Sequence, residues 1–307
     1  MKTFTLKQLR YFDALARHGH FGQAAAACAI SQPALSVQIR ELEDTFGAAL
    51  VERGARAVRV TAFGADLLPR VRAILSAAED LHVQARTGSG QGLTRLRLGV
   101  IPTIAPYLLP QLLPLLTAAR PGLDLHMRET LTPRLLQELG EGAIDAAIVA
   151  LPVSEPAFRE LPLFDEDFLL VRPGAEAGQP VPHGAALAKM RLLLLEEGHC
   201  FRDQAISFCN LKTPVPKDGL DGSSLTTLVQ LVGAGLGLTL IPEMAVAVEG
   251  RAAPVDIVRF AEPRPSRTIG MIWRKTTPME DELREVASLV QRAAGQSERA
   301  ASTSASA

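Results

Sequence analysis

Apolar residues recur at helical spacing over the first ninety or so positions and change rhythm afterwards. Leu6, Leu9, Phe12 and Leu15 predict a first helix, and the Ala-rich stretch from Phe21 to Ala27 predicts a short second one. Ser31 ahead of Gln32 and Pro33 is a helix start, with a serine able to cap and a proline inside the first turn. Leu35, Ile39, Leu42 and Phe46 then line one face of a third helix, and Gly47 stands where its C-cap should be. Ala49–Glu52 and Val58–Thr61 read as two short strands around Arg53, Gly54, Ala55 and Arg56. Three helices followed by a hairpin over residues 1–61 predict a winged helix-turn-helix.

Residues 62–87 carry one long helical pattern. Leu67, Val71, Ile74, Ala78 and Leu81 alternate at threes and fours, a seam suited to a partner helix, and Pro69 falls early enough to kink it. A Gly/Ser-rich stretch closes this linker (62–92). From residue 93 to 295 strands alternate with helices. Strands are expected at Arg95–Ile101, Leu123–Glu129, Ile144–Ala150, Phe168–Arg172, Leu192–Leu195, Leu238–Ile241, Ile257–Phe260 and Thr268–Arg274. Helices are expected at Tyr107–Ala119, Pro133–Leu139, Cys200–Phe208, Ser224–Ala234 and Met279–Ala294. This predicts an α/β body with mostly parallel sheets, and the Ser/Ala-rich tail 296–307 is expected to be disordered.

Composition narrows the class. Hydrophobic residues make up 47%, enough for packed cores. No apolar run reaches the ~18–20 residues that span a bilayer, and the N-terminus lacks the apolar block of a signal peptide. Three cysteines exclude a disulfide-scaffolded secreted domain, so a reducing cytoplasm and no membrane partner are expected. The net charge is only −1, yet residues 1–61 hold eight Lys/Arg against five acids, so a mildly basic head sits on an acidic body. That asymmetry points weakly to nucleic acid.

The third helix sharpens the point. It opens with small and amide side chains, Gln32, Pro33, Ala34, Ser36 and Gln38. Small residues let a helix enter the major groove, glutamine can meet adenine N6/N7, and Ser31 and Ser36 can reach bases or phosphates. Arg53, at the hairpin, is placed for the backbone or minor groove. In the body, Thr103 follows a strand and precedes a helix; its hydroxyl could serve a small polar effector or cap its own helix, and Thr132 poses the same choice. No histidine cluster has metal-ligand spacing, so no metal and no cofactor are expected.

The segment from Glu196 to Cys209 is unusual. Cys200 follows His199, precedes Arg202 and Asp203, and opens a predicted helix, a setting that favours thiolate. A thiolate oxidised by peroxide gives a sulfenic acid that a second thiol can condense with, and Cys209 is the candidate. On one helix the two sulfurs would lie about 13 Å apart along the axis and on opposite faces. A disulfide needs Cα atoms within about 7 Å, so a bridge would require unwinding, which makes a switch. Composition alone leaves inert core cysteines as the commoner outcome. Cys28, in the Ala-rich second helix, reads as a small packing residue.

Phe21 to Ala25, Ser31 to Glu43, Leu50 to Arg53 and Val60 to Gly64 resemble the LysR-type transcriptional regulators. That resemblance implies a winged helix-turn-helix, a dimerising linker helix and an effector domain of two lobes resembling periplasmic binding proteins. The lobes would be about 93–165 with 268–295, and about 166–267. Val37 departs from the basic or polar residue common there. Ile101 to Pro110, Glu196 to Gln204, Phe208-Cys209 and Arg267 to Gly270 resemble the peroxide-sensing group within that family. The resemblance implies Cys200 as peroxidatic and Cys209 as resolving cysteine, with Thr103, Thr132, His199, Asp203 and Arg267 around the peroxide or supporting Cys200. It also implies a homodimer or homotetramer on double-stranded promoter DNA, with RNA polymerase and a thiol reductant as further partners, and a regulator, activator or repressor, rather than an enzyme. The rivals are a metabolite-gated regulator with inert cysteines and a thiol peroxidase carrying a DNA-binding head.

Overall fold

The computed structural model describes residues 3–54, 58–87, 93–182, 187–208 and 222–304. The chain divides into two compact units: Met1–Ser89 with Gly140–Ala143, and Gly90–Leu139 with Ile144–Ala307.

The first unit begins with α1 (Leu6–His18), α2 (Phe21–Ala27) and α3 (Gln32–Phe46), followed by β1 (Val51–Arg53), β2 (Val58–Val60) and α4 (Ala62–Thr87). Each helix start is chemically capped. Thr5 and Gln8 form a reciprocal capping box on α1, and the Ser31 hydroxyl accepts the Ala34 amide on α3 at 3.3 Å. Gly47 ends α3 at φ 71°, a left-handed position that costs glycine no Cβ clash. Phe12, Leu15, Leu35, Ile39 and Leu42 are fully buried where the helices meet, each stabilising the head by about 1.5–3 kcal/mol. The hairpin is antiparallel, with Arg53 opposite Val58 in its last pair. α4 passes through Pro69 without ending.

The expected linker seam divides. Val71 is 2% exposed and belongs to the head's own core, with Leu67, Leu68 and Leu75 packed against it. Ile74 and Leu81 are 41% and 67% exposed.

The second unit contains β3 (Arg95–Val100), α5 (Ala105–Ala119), β4 (Asp124–Glu129), α6 (Thr132–Gly140), β5 (Ala146–Leu151) and β6 (Phe158–Pro173). α7 (Cys200–Phe208), α8 (Leu225–Gly233), β7 (Thr239–Pro242), α9 (Val246–Glu249), β8 (Val255–Arg259), β9 (Ser266–Arg274) and α10 (Glu280–Ser304) follow. The sheet runs β4-β3-β5-β9-β6-β7, with β8 also on β6. Two of its ladders, β3·β4 and β3·β5, are parallel, while every ladder of β6 and β9 is antiparallel. The expected mostly parallel sheet is therefore corrected. β9 comes back into the sheet between β5 and β6 and runs antiparallel to both.

β6 is the element that joins two lobes. Its first part, Phe158 to Asp167, pairs with β9; Phe168 to Pro173 pairs with β7 and β8. Beyond it, Phe168, Leu170, Leu192–Leu195, Phe201, Leu228 and Ile241 form the second lobe's core. The Leu192–Leu195 run makes only isolated bridges, Leu192 to Leu238 and Leu195 to Gly222, instead of the expected strand. α5 buries Leu108, Leu112 and Leu116 and turns Pro106, Pro110 and Pro114 outward. Water can satisfy the carbonyls those prolines leave without donors.

Over residues 296–304 the tail expected to be disordered is helical, and 305–307 lie outside the described residues. α10 continues through Ser304, where Gln296, Glu298, Arg299, Ala300 and Ala301 are good helix formers and no proline intervenes. Among the described residues no helix is long and apolar enough to cross a membrane.

Candidate redox site and nucleic-acid interface

On the head, Gln32 and Pro33 are exposed in the first turn of α3, Ser36 is half-buried, and Val37 is 49% exposed. Ser31 spends its hydroxyl on the α3 cap. Gln38 Nε2 donates to Glu41 Oε2 at 2.8 Å, and Gln8 Nε2 donates to the same oxygen at 3.2 Å. Glu43 Oε1 accepts the Leu50 and Val51 amides at 2.8 and 3.2 Å, which pins the hairpin to α3. The Arg53 side chain lies outside the described residues. His20, which the sequence places merely among scattered histidines, caps α2: its Nδ1 accepts the Gly22 amide at 3.0 Å. A histidine is not among the usual N-cap residues, so the pattern carries no signal for it.

In the body, the half-buried Cys200 is the first residue of α7, at the helix's positive end. Gly198, two residues earlier, has φ 97°, and a Cβ there would lie 2.9 Å from Leu131 Cδ1. The turn into α7 is thus packed against the residue before Thr132. Thr132 Oγ1 is buried with no hydrogen-bond partner, so this hydroxyl is not a cap. Gln204 Oε1, one turn into α7, is buried and unpartnered as well.

His199 is buried, and burial lowers its pKa below the ordinary histidine value, opposed by Glu196. It is therefore neutral at pH 7, and it supplies no cation to Cys200. Arg202 is buried and its Nη1 donates to the Leu195 carbonyl at 2.7 Å, tying α7 to the preceding Leu192–Leu195 run. Asp203 is exposed in the first turn of α7, where an anion suits the helix dipole. The structure does not gather it into the buried polar set.

Thr103 and Arg267 are brought together. Arg267 Nη1 donates to Thr103 Oγ1 at 2.9 Å and Nη2 to the Thr103 carbonyl at 3.2 Å. Thr103 therefore does not cap α5, whose N-cap, Ile104, makes no side-chain bond. Arg267 Nε donates to Glu166 Oε2 at 2.9 Å, and both side chains are almost wholly buried. Burial pushes the Glu166 pKa up, while Arg267 and the Met244 amide pull it down. The guanidinium lies over two rings, with Cζ 5.3 Å from the Phe201 centroid and 6.0 Å from that of Phe168. A second buried chain runs from Tyr107 Oη to Glu249 Oε1 at 2.7 Å, with Thr226 Oγ1 on the same oxygen at 2.9 Å. Burial and that carboxylate raise the Tyr107 pKa strongly. Glu43, Glu166 and Glu249 have no sequence signal, because each is identified by what it meets in the fold.

Cys209 lies outside the described residues, and with it the Cys200–Cys209 separation. Cys28, at the C-cap of α2, is half-buried, and burial raises its thiol pKa. Among the described residues no group of three or more His, Cys, Asp or Glu could hold a metal.

Comparison with known proteins matches this arrangement along the chain. Residues 6–65 match the family of bacterial regulatory helix-turn-helix proteins, lysR family, and residues 66–295 match the LysR substrate binding domain. The chain is 43% identical over 291 residues to a probable hydrogen peroxide-inducible genes activator of Mycobacterium avium, covering 93% of each. It is 40% identical over 292 residues to the DNA-binding transcriptional dual regulator OxyR of Escherichia coli, covering 93% of this chain and 94% of that one. Among solved structures, a full-length OxyR from Pseudomonas aeruginosa superposes with a TM-score of 0.79 at 35% identity, covering 95% of this chain and 96% of that one. A Corynebacterium glutamicum OxyR mutant bound to hydrogen peroxide does so at 0.67 and 37%, covering 99% and 96%. With a capped α3 and a hairpin in one unit, a cysteine at a helix start in the other, and matches over nearly its whole length, the chain belongs to the LysR family of bacterial regulators and, within it, to the OxyR group.

Proposed function

We propose that this chain is a peroxide-responsive, DNA-binding transcription regulator of the cytoplasm. Residues 1–61 bind promoter DNA, 62–92 dimerise, and 93–295 sense. Ser31, Gln32, Pro33, Ser36 and Gln38 of the reading helix and Arg53 of the hairpin meet the duplex. The Cys200 sulfur attacks one peroxide oxygen; an S–O bond forms, the O–O bond breaks, and hydroxide leaves. Cys209 then attacks the sulfenic sulfur; an S–S bond forms, and the hydroxyl takes a proton and leaves as water. A thiol reductant restores both thiols. The bridge cannot close across an intact α7, so oxidation must unwind it and alter how a dimer or tetramer holds DNA.

The observation that carries this reading is the Thr132 hydroxyl, buried and without a partner, one residue after Leu131, against which the turn into α7 packs. A buried polar atom left unsatisfied costs about 1–3 kcal/mol, and a small molecule that both donates and accepts hydrogen bonds removes that cost. Arg267, bonded to Thr103, lies over Phe201, the residue after Cys200, and His199 is the residue before it; Asp203 is exposed one turn on. The name of the Mycobacterium avium relative, a probable hydrogen peroxide-inducible genes activator, points the same way.

Footprinting of the protein on its own upstream DNA, with and without a stoichiometric peroxide pulse, tests the reading. The expected result is a footprint whose length or spacing changes with peroxide in the native chain and does not change in Cys200→Ser. An identical response in Cys200→Ser would favour a metabolite-gated regulator. Catalytic peroxide turnover with reductant and no change on DNA would favour a thiol peroxidase.

A further inference from the structure

We propose that Glu41 is a positioning residue which makes Gln38 present its carbonyl oxygen to DNA, so that this position of the reading helix selects an amino-bearing base, adenine above cytosine. This deepens the reading of α3 as the DNA-reading helix and rests on it.

The argument is one of hydrogen-bond direction. The Thr5 backbone amide donates to Gln8 Oε1 at 2.9 Å, and a backbone N–H can meet only the oxygen of an amide side chain. That fixes which way the buried Gln8 points: its NH2 faces outward and donates to Glu41 Oε2 at 3.2 Å. An ionised carboxylate is acceptor-only. The same Oε2 takes Gln38 Nε2 at 2.8 Å, so the Gln38 amide must also approach nitrogen-first. Glu41 thus takes both glutamines nitrogen-first, Gln8 at the start of α1, in agreement with the Thr5 amide, and Gln38 in the middle of α3. Leu35, Ile39 and Leu42 occupy the buried face of α3; Gln38 and Glu41 lie off it.

The Gln38 oxygen is left outward as an acceptor. In the major groove, donors come from adenine N6 and cytosine N4; guanine offers N7 and O6, and thymine O4 and a methyl group. An outward acceptor therefore matches adenine or cytosine and repels the oxygens of guanine and thymine. Adenine ranks above cytosine because its N7 can also take the second N–H of Gln38. A glutamine without Glu41 could turn its amide over and meet either kind of edge.

Selection of double-stranded DNA from a randomised pool by the full-length protein reads this directly. For the native chain one position per half-site should favour adenine or cytosine. Gln38→Ala should flatten that position by roughly tenfold or more. Glu41→Gln, which can offer Gln38 either a donor or an acceptor, should admit guanine or thymine there by a similar factor. It should leave the other positions and the thermal melt as they are. Rescue of the native preference by Glu41→Asp, which remains acceptor-only, would support orientation over packing. The proposal is overturned if Gln38→Ala or Glu41→Gln leaves that position unchanged, or if Glu41→Gln weakens all positions alike. In those cases the regulator reading stands; a native chain that selects no sequence would remove both.

Discussion

The guanidinium of Arg267 lies over the ring of Phe201, Cζ to centroid 5.3 Å, and Phe201 is the residue next to Cys200 in α7. The edges of the same guanidinium are taken by Glu166 and Thr103. Arg267 thus bears on α7 through a ring and is itself held by a buried carboxylate. Arg267→Met should destabilise the effector unit by about 3–5 kcal/mol, since it strands Glu166 in the interior. Phe201→Leu keeps the apolar volume but gives up a contact worth up to about 2 kcal/mol, so α7 should detach more readily and the disulfide should form faster after peroxide. Urea melts and stopped-flow disulfide kinetics check the pair. Native kinetics and a native melt in Phe201→Leu would show that the ring does not hold α7.

The linker helix gives a prediction that separates packing from assembly. Val71 belongs to the core of its own head, whereas Ile74 and Leu81 are exposed. Val71→Glu should therefore unfold the head, because an unpaired carboxylate replaces a buried methyl pair. Ile74→Glu with Leu81→Glu should leave the head's melt unchanged and lower the association state. Sedimentation with parallel thermal melts checks both. A double variant that remains a native dimer on DNA would remove this face from the interface.

His199 makes stability depend on pH. Burial lowers its folded pKa below the unfolded value of about 6.5. Above that value both states are neutral and the slope from this group is flat. As pH falls below it, the unfolded chain takes up a proton that the folded chain resists, so stability is lost until the folded pKa is passed. Denaturation midpoints between about pH 5 and 8 should fall toward acid in the native protein and fall less in His199→Asn. Identical slopes would mean that the imidazole is solvated.

Local chemistry was legible and long-range pairing was not. α2, α3 and α7 have the bounds their patterns predict, because caps and apolar spacing act within a few residues, as Ser31 and Gly47 do for α3. The first ten residues of β6 escaped detection, since Glu160, Pro162, Asp165, Glu166 and Asp167 dilute any strand signal and its stabilising partner β9 lies about a hundred residues on. The Leu192–Leu195 run shows the reverse error, in which a buried apolar run imitates a strand. Thr103 and Arg267 could be named from resemblance. That they share a hydrogen bond could not be read from residues 164 apart, nor could the contact of Glu249 with Tyr107, 142 apart.

The central claim is that Cys200 oxidises first and Cys209 captures it by unwinding α7. Peptide mapping with limited proteolysis after a stoichiometric peroxide pulse tests it most directly. The expected result is a Cys200–Cys209 linkage with new cleavage across residues 200–222, a trapped sulfenic or over-oxidised Cys200 in Cys209→Ser, and an unaltered response in Cys28→Ser. A linkage through Cys28, or a normal transcriptional response in Cys200→Ser with no linkage at all, would contradict the account.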